Sequence, residues 1–219
     1  MTLRSSNLLF PQVTATRIAA AVSLLTTLAT LGTSTVCAQV VPESGFETPS
    51  LGGGNFDYNP NDPTPGQSAW TFAGASGIAA IPGGFSGFLT PPEGSQVAFL
   101  QTFGAGASAS VCQSVSGFQT GVEYFISAKL AHRVGCGSCG PAVDVHFEVD
   151  GNNAGDVPAA SLPDSQFDRF SGWFVASSAQ AQLCVVEPPQ AGNGDSTSFV
   201  DDVQTGIFHI FIDGFEPPI

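Results

Sequence analysis

Cys136 and Cys139, separated by two residues in the loop Gly135-Cys136-Gly137-Ser138-Cys139-Gly140, are the first residues whose types and spacing could do chemistry. A redox-active pair of this spacing belongs at a helix start, where the thiolate is stabilised. Glycines around both cysteines predict instead a loop between strands. A four-cysteine zinc site shows two paired motifs, and this chain has one. Cys112 and Cys184 remain as partners once Cys37 is set aside with the leader, and four cysteines allow three connectivities. The expected set is Cys136–Cys139 within the loop, where glycines permit the tight bend, and Cys112–Cys184 between strands.

Asp144, His146 and Glu148 alternate along one segment. Next-but-one residues of a strand share a face, so these three could hold a metal, although a solvated outer face explains them more simply. Trp70, Trp173, Tyr58 and Phe88 are aromatics that could stack on a sugar ring while polar side chains take its hydroxyls. Trp173 precedes Phe174, so alternation sends one of them outward; if Phe174 is core, Trp173 is exposed. The chain has no nucleophile elbow, no His-Glu-x-x-His motif and no phosphate loop. Its 18 acidic residues make some carboxylate pair inevitable, so a pair is not evidence for glycoside hydrolysis. No catalytic residue is assigned, and His132 and Arg133 read as strand-end residues making hydrogen bonds.

Strands must position these groups. Val143, Val145, Phe147 and Val149 share one face of a strand whose other face carries Asp144, His146, Glu148 and Asp150. Asp150-Gly151-Asn152-Asn153 then reads as a hairpin turn. Further strands are expected over 96–101, 109–116, 123–131, 169–176, 180–187 and 198–205, with short extended pieces around Ile78 and Phe85. Residues 51–66, rich in Gly, Pro, Asn and Asp, read as a loop. With 26 Gly, 16 Pro and no helical periodicity, this pattern predicts an all-β fold, a β-sandwich.

Residues 1–38 read as a secretory signal peptide. Arg4 and Arg17 form its positive region, and Val36-Cys37-Ala38 places small residues at the cleavage site, so that the mature chain begins at Gln39. The apolar run 18–31 has 14 residues, short of the roughly 20 that span a bilayer. Ser34-Thr35-Val36 lacks the small residue expected ahead of a lipidated cysteine. No later stretch is long enough to span. After the leader, only Lys129, Arg133 and Arg169 remain against all 18 acids. Such a domain is repelled by phosphate backbones and anionic lipid, which excludes nucleic acid as a natural partner and favours cations and neutral ligands.

A series of motifs resembles a known family. Ser44-Gly45-Phe46-Glu47-Thr48-Pro49 opens it, followed by Trp70-Thr71-Phe72, Gly77-Ile78-Ala79 and Gln96-Val97-Ala98-Phe99-Leu100-Gln101. Gln113-Ser114-Val115-Ser116-Gly117-Phe118, Gly121-Val122-Glu123-Tyr124, Ala131-His132-Arg133, Val149-Asp150-Gly151 and Phe199-Val200-Asp201-Asp202-Val203 complete it in order. Together they resemble bacterial secreted galactose-binding-like jelly-roll domains, related to the plant cell-wall family called domain of unknown function 642 and to carbohydrate-binding modules. The likeness covers about residues 41–204 and leaves out the cysteines. It implies a jelly-roll sandwich over 39–206, no established catalytic activity and an extracellular polysaccharide as partner. It also implies that Trp70 is core. A structural calcium tying the first strand to the last would draw on Glu47 and Asp201, helped by Glu43 and Asp202; the competing role for Glu47 and Asp201 is to bond backbone groups in turns. Residues 207–219 contain Ile210-Phe211-Ile212-Asp213-Gly214-Phe215-Glu216, similar to a short sorting tail of exported Gram-negative proteins. The expected protein is thus an exported, non-catalytic, carbohydrate-binding-like module in the periplasm, at the cell surface or outside. A secreted structural or surface-matrix protein without a small ligand is the alternative, with a glycan hydrolase third.

Overall fold

The computed structural model describes residues 39–53, 55–58, 68–83, 85, 89–103, 106–135, 139–189 and 194–207. All lie in the compact unit Cys37–Ile219. The leader 1–38, Phe88, Cys136 and the tail beyond residue 207 fall outside the described residues.

Eleven strands carry the described fold, with one 3-10 turn at Ala159–Ser161: β1 Phe56–Tyr58, β2 Thr71–Ala73, β3 Ser76–Ala80, β4 Gln96–Phe103, β5 Ala109–Ser116, β6 Glu123–His132, β7 Val145–Val149, β8 Asn152–Val157, β9 Asp168–Val175, β10 Gln180–Glu187 and β11 Asp195–Ile207. They form two antiparallel sheets, ordered β1-β3-β4-β11-β6-β9 and β2-β5-β10-β7-β8. The pairs β4:β11, β5:β10, β6:β9 and β7:β8 nest inside one another along the chain. Successive pairs alternate between the sheets. A long hairpin wound around a sandwich in this way is a jelly roll.

Alternation builds the core between the sheets. Val145, Phe147 and Val149 of β7 are buried while His146 and Glu148 are partly exposed. Trp70 is buried against Phe46, with ring centroids 4.8 Å apart, and its indole N–H donates to the Glu43 carbonyl at 2.9 Å. Each such aromatic contributes about 2–3 kcal/mol by leaving water. A second apolar cluster, including Phe85, Phe99 and Phe199, covers part of the six-stranded sheet's outer face. Cys112 and Cys184 are directly opposed on β5 and β10 and form a disulfide. Cys139 is also disulfide-bonded.

Three local readings need correction. Residues 51–66 are not all loop, because β1 pairs along β3. Phe85 lies in a turn rather than an extended piece, its ring buried over Phe99. The hairpin turn after Asp150 leads into a strand, β8, that its Asn- and Gly-rich sequence did not announce. No helix among the described residues is long and apolar enough to cross a membrane.

Candidate functional site

Trp173 lies on β9, at an edge of the six-stranded sheet. Phe174 turns inward onto Phe118 and Tyr124, with centroids 5.5 and 5.8 Å away. The next residue outward must then be Trp173, and it is 45% exposed. Its ring meets Phe125 of β6 edge-on at 6.3 Å.

The facing wall comes from the β7–β8 turn. Asp150 and Gly151 both have positive φ, 51° and 76°, as a two-residue turn that continues the strand twist requires. Main-chain and side-chain bonds lock this turn to β10: the Asp150 N–H donates to Gln182 O at 2.9 Å, and Gln182 N–H donates to Asp150 Oδ1 at 2.8 Å. The Asn153 amide donates to Asp156 at 2.7 Å and accepts from Gly155 N–H at 2.7 Å. Two glycines let β8 and β9 close the sandwich edge. A Cβ on Gly172 would lie 2.6 Å from Ala154 O, and one on Gly155 would lie 2.8 Å from Gly172 Cα. Between turn and strand is an open cleft of about 280 Å³, lined by Trp173, Val175, Asp150, Asn152, Asn153 and Ser177 among others. It sets an aromatic wall against amides, a hydroxyl and one carboxylate, the combination that binds polar rings with apolar faces.

Tyr58 occupies a different part of the same sheet. It is 39% exposed and its neighbour Phe56 is 48% exposed. Its hydroxyl donates to Gln101, whose amide donates to Asp195 at 2.5 Å. Thr197 also donates to Asp195, at 3.1 Å, and Arg133 pairs with it at 3.4 Å. The Arg133 guanidinium lies 4.1 Å over the Phe85 ring. Burial, and secondarily the Asp195 carboxylate, push the Tyr58 phenol above its usual pKa. Phe88 follows Phe85 in sequence but lies outside the described residues. Trp173 and Tyr58 therefore do not form one platform.

The four acids expected to bind calcium are divided by the structure. Glu47 takes Ser95 N–H and Gln96 N–H, both at 2.8 Å, and the Ser95 hydroxyl at 3.0 Å. Asp201 takes Glu93 N–H at 3.0 Å and Asp202 N–H at 2.8 Å. Both acids thus meet the turn at residues 93–96 and tie it to the first motif and the last strand. Glu43 instead accepts from Ala69 N–H at 3.1 Å, and Asp202 pairs with Arg169 and, at 3.6 Å, with Lys129. Among the described residues no three His, Cys, Asp or Glu side chains group as a metal site. Asp201 is fully buried, and its pKa is pushed up to about 8, mainly by desolvation with the Glu93 and Asp202 carboxylates adding to it.

Other residues take the bland roles that the sequence allowed. His146 bonds Asp156 at 2.5 Å and Asp144 accepts from Ala159 N–H at 2.8 Å, and Asp144, His146 and Glu148 are all partly exposed. His132 meets Asp164 at 3.0 Å. Sequence reasoning missed Asp150, Asn152 and Asn153 as cleft residues, since they carry only a turn signal. It also missed Glu187, buried between the sheets, which accepts from the Thr102 hydroxyl at 2.8 Å and Ser198 N–H at 3.1 Å and whose pKa desolvation pushes up to about 8.

No family profile and no curated protein matches the sequence. Solved structures do. TmCBM61, solved in complex with beta-1,4-galactotriose, is similar over 64% of this chain and 90% of its own, at 16% identity and a TM-score of 0.42. The CBM22-1 xylan-binding domain from Paenibacillus barcinonensis Xyn10C is similar over 70% of this chain and 95% of its own, at 16% identity and 0.42. The EclA C-terminal domain, a sugar-binding protein, is similar over 57% and 87%, at 20% identity and 0.37. Each of these three likenesses is at 20% identity or less and a TM-score below 0.5.

Proposed function

We propose that this chain is an exported, non-catalytic module that binds carbohydrate at the Trp173 cleft. One observation carries the reading: an exposed indole forms one wall of a cleft whose other wall is a rigid turn presenting Asp150, Asn152 and Asn153. A sugar ring would stack its C–H face on the indole and give its hydroxyls to the turn. The turn is fixed by its bonds to β10, so little ordering cost accompanies binding. In this reading the cleft's role is recognition.

Calcium belongs to this proposal as a stabiliser. Glu47 and Asp201, the two of the four acids that meet the 93–96 turn, would hold it there, and backbone carbonyls would complete an oxygen shell. Its contribution would be charge for the buried Asp201 carboxylate, with no part in recognition. Calcium raising Tm in a chelator-sensitive way supports this; an unchanged Tm assigns the two acids to turn anchoring alone.

The test is a panel of β-galactan, xylan, cello-oligosaccharide, chitin and chitosan oligosaccharides, followed by calorimetry. The reading expects at least one binder, with affinity lowered at least about tenfold in Trp173→Ala. Absence of binding across the panel, or binding that Trp173→Ala leaves intact, would overturn it.

A further inference from the structure

The chemistry of the cleft goes further than a generic sugar site. None of its lining residues is Lys or Arg, and its one charged group is the Asp150 carboxylate. That carboxylate is held in place. Its backbone is fixed by a positive φ in the two-residue turn, and Gln182 N–H anchors Oδ1 at 2.8 Å. Oδ2 has no hydrogen-bond partner among the described residues, and the residue is exposed. Across the cleft stands Trp173. The electron-rich face of an indole and a carboxylate both attract a cation. Arg169, on the same strand and face as Trp173, is committed to Asp202 and to the Ser127 hydroxyl at 3.0 Å, so it does not offset this polarity. Residues 39–219 carry three cations against 18 acids, and their field concentrates cationic ligands near the surface while repelling uronate or sulfated chains.

The geometry points to glycans bearing free 2-amino groups, such as partly or fully deacetylated hexosamine polymers, as the ligand class of the Trp173 cleft, with Asp150 as the residue that selects the ammonium. This inference rests on the carbohydrate reading above. A protonated amino sugar offers an apolar ring face and a charge within one unit, and the cleft presents a partner for each. A neutral or N-acetylated sugar of the same shape keeps the stacking and loses the charge contact.

The test compares a glucosamine hexamer with an N-acetylglucosamine hexamer by calorimetry near pH 6, on the full chain and on its Asp150→Asn and Trp173→Ala variants. Asp150→Asn keeps the acceptor for Gln182 N–H and removes only the charge. The expected result is about tenfold tighter binding of the amino form. That preference should vanish in Asp150→Asn and shrink as salt is raised. Equal affinity for the two hexamers, or a preference for the acetylated one, would refute the inference and leave the carbohydrate reading standing. An amino-sugar preference unchanged in Asp150→Asn would assign it to the general acidic field and also refute it. A lysine hexamer binding as tightly as the glucosamine hexamer, with the same loss in Trp173→Ala, would replace a glycan by a cationic peptide. Binding of neither hexamer, nor of any neutral glycan, overturns both readings together.

Discussion

The Trp173 cleft and the Tyr58 surface both expose an aromatic side chain to a similar extent, yet they differ in what surrounds it. At Tyr58 the hydroxyl, Gln101, Thr197, Asp195 and Arg133 form a closed set in which each polar group already has a protein partner. At Trp173 the facing Asp150, Asn152 and Asn153 belong to a separate turn across an open space, and one Asp150 carboxylate oxygen has no hydrogen-bond partner among the described residues. Exposure of a ring therefore does not by itself define a site. Space, and polar groups aimed into it from a second element, make the difference. Tyr58 is a lid on the second apolar cluster, with its ring edge-on to Phe99 at 5.0 Å. Trp173 lies edge-on to Phe125 at the sheet edge and borders the cleft.

Mutations that break this contrast rank by what they leave unpaired. Asp195→Ala strands the Gln101 amide, the Thr197 hydroxyl and the Arg133 guanidinium, and should cost about 3 kcal/mol in urea denaturation without changing glycan affinity. Tyr58→Ala uncovers the cluster and should cost about 2 kcal/mol, again with affinity unchanged. Gly172→Ala forces a Cβ against the Ala154 carbonyl. It should cost about 1–2 kcal/mol and also weaken binding, because it moves the turn away from Trp173. Trp173→Ala should do the reverse of Tyr58→Ala, abolishing binding with a stability change under about 1 kcal/mol. A large stability loss there would mean that Trp173 is core and not ligand surface.

A smaller effect concerns pH. Asp201 and Glu187 have folded pKa values of about 8, above their ordinary values of 3.8 and 4.5. The folded state therefore holds these protons more tightly than the unfolded chain. Their contribution favours folding fully below the ordinary carboxylate range and is lost as pH climbs toward 8. Glu187→Gln and Asp201→Asn should each flatten the fall in urea midpoint between about pH 5 and pH 8. If calcium binds at the 93–96 turn, added calcium should flatten the Asp201 part and leave the Glu187 part unchanged.

Much of the fold is legible in the sequence where alternation is clean. Val143 to Asp150 reads as a half-buried strand, and so it is from Val145 to Val149. The pairing of Trp173 with Phe174 correctly exposes the indole. Strand β8 escapes because Asn152, Asn153 and Gly155 have weak strand propensity; its pairing with β7 and its close approach to β9 decide the conformation. Strand β1 hides in a Gly- and Asn-rich stretch for the same reason. The site itself is only half legible. Nothing local to Asp150 or Asn152 says that their turn faces a tryptophan some twenty residues later, since that contact is set by how the nested hairpins wind. The four acids implied for calcium divide where β11 breaks its regular alternation: a register shift between Asp201 and Gln204, with Asp202 at φ 48°, leaves Asp201 buried under the 93–96 turn while Asp202 reaches Arg169 and Lys129.

The central claim, that ligand stacks on Trp173, has a built-in optical test, because the chain has two tryptophans and Trp70 is buried at 1% exposure. Acrylamide quenching of indole fluorescence should report Trp173 over a nearly constant Trp70 background. Saturating glucosamine hexamer should shift the emission to the blue and protect the quenchable fraction, and neither change should occur in Trp173→Phe. A hexamer that binds by calorimetry while leaving quenching as it was would place the ligand elsewhere on the molecule and contradict the account.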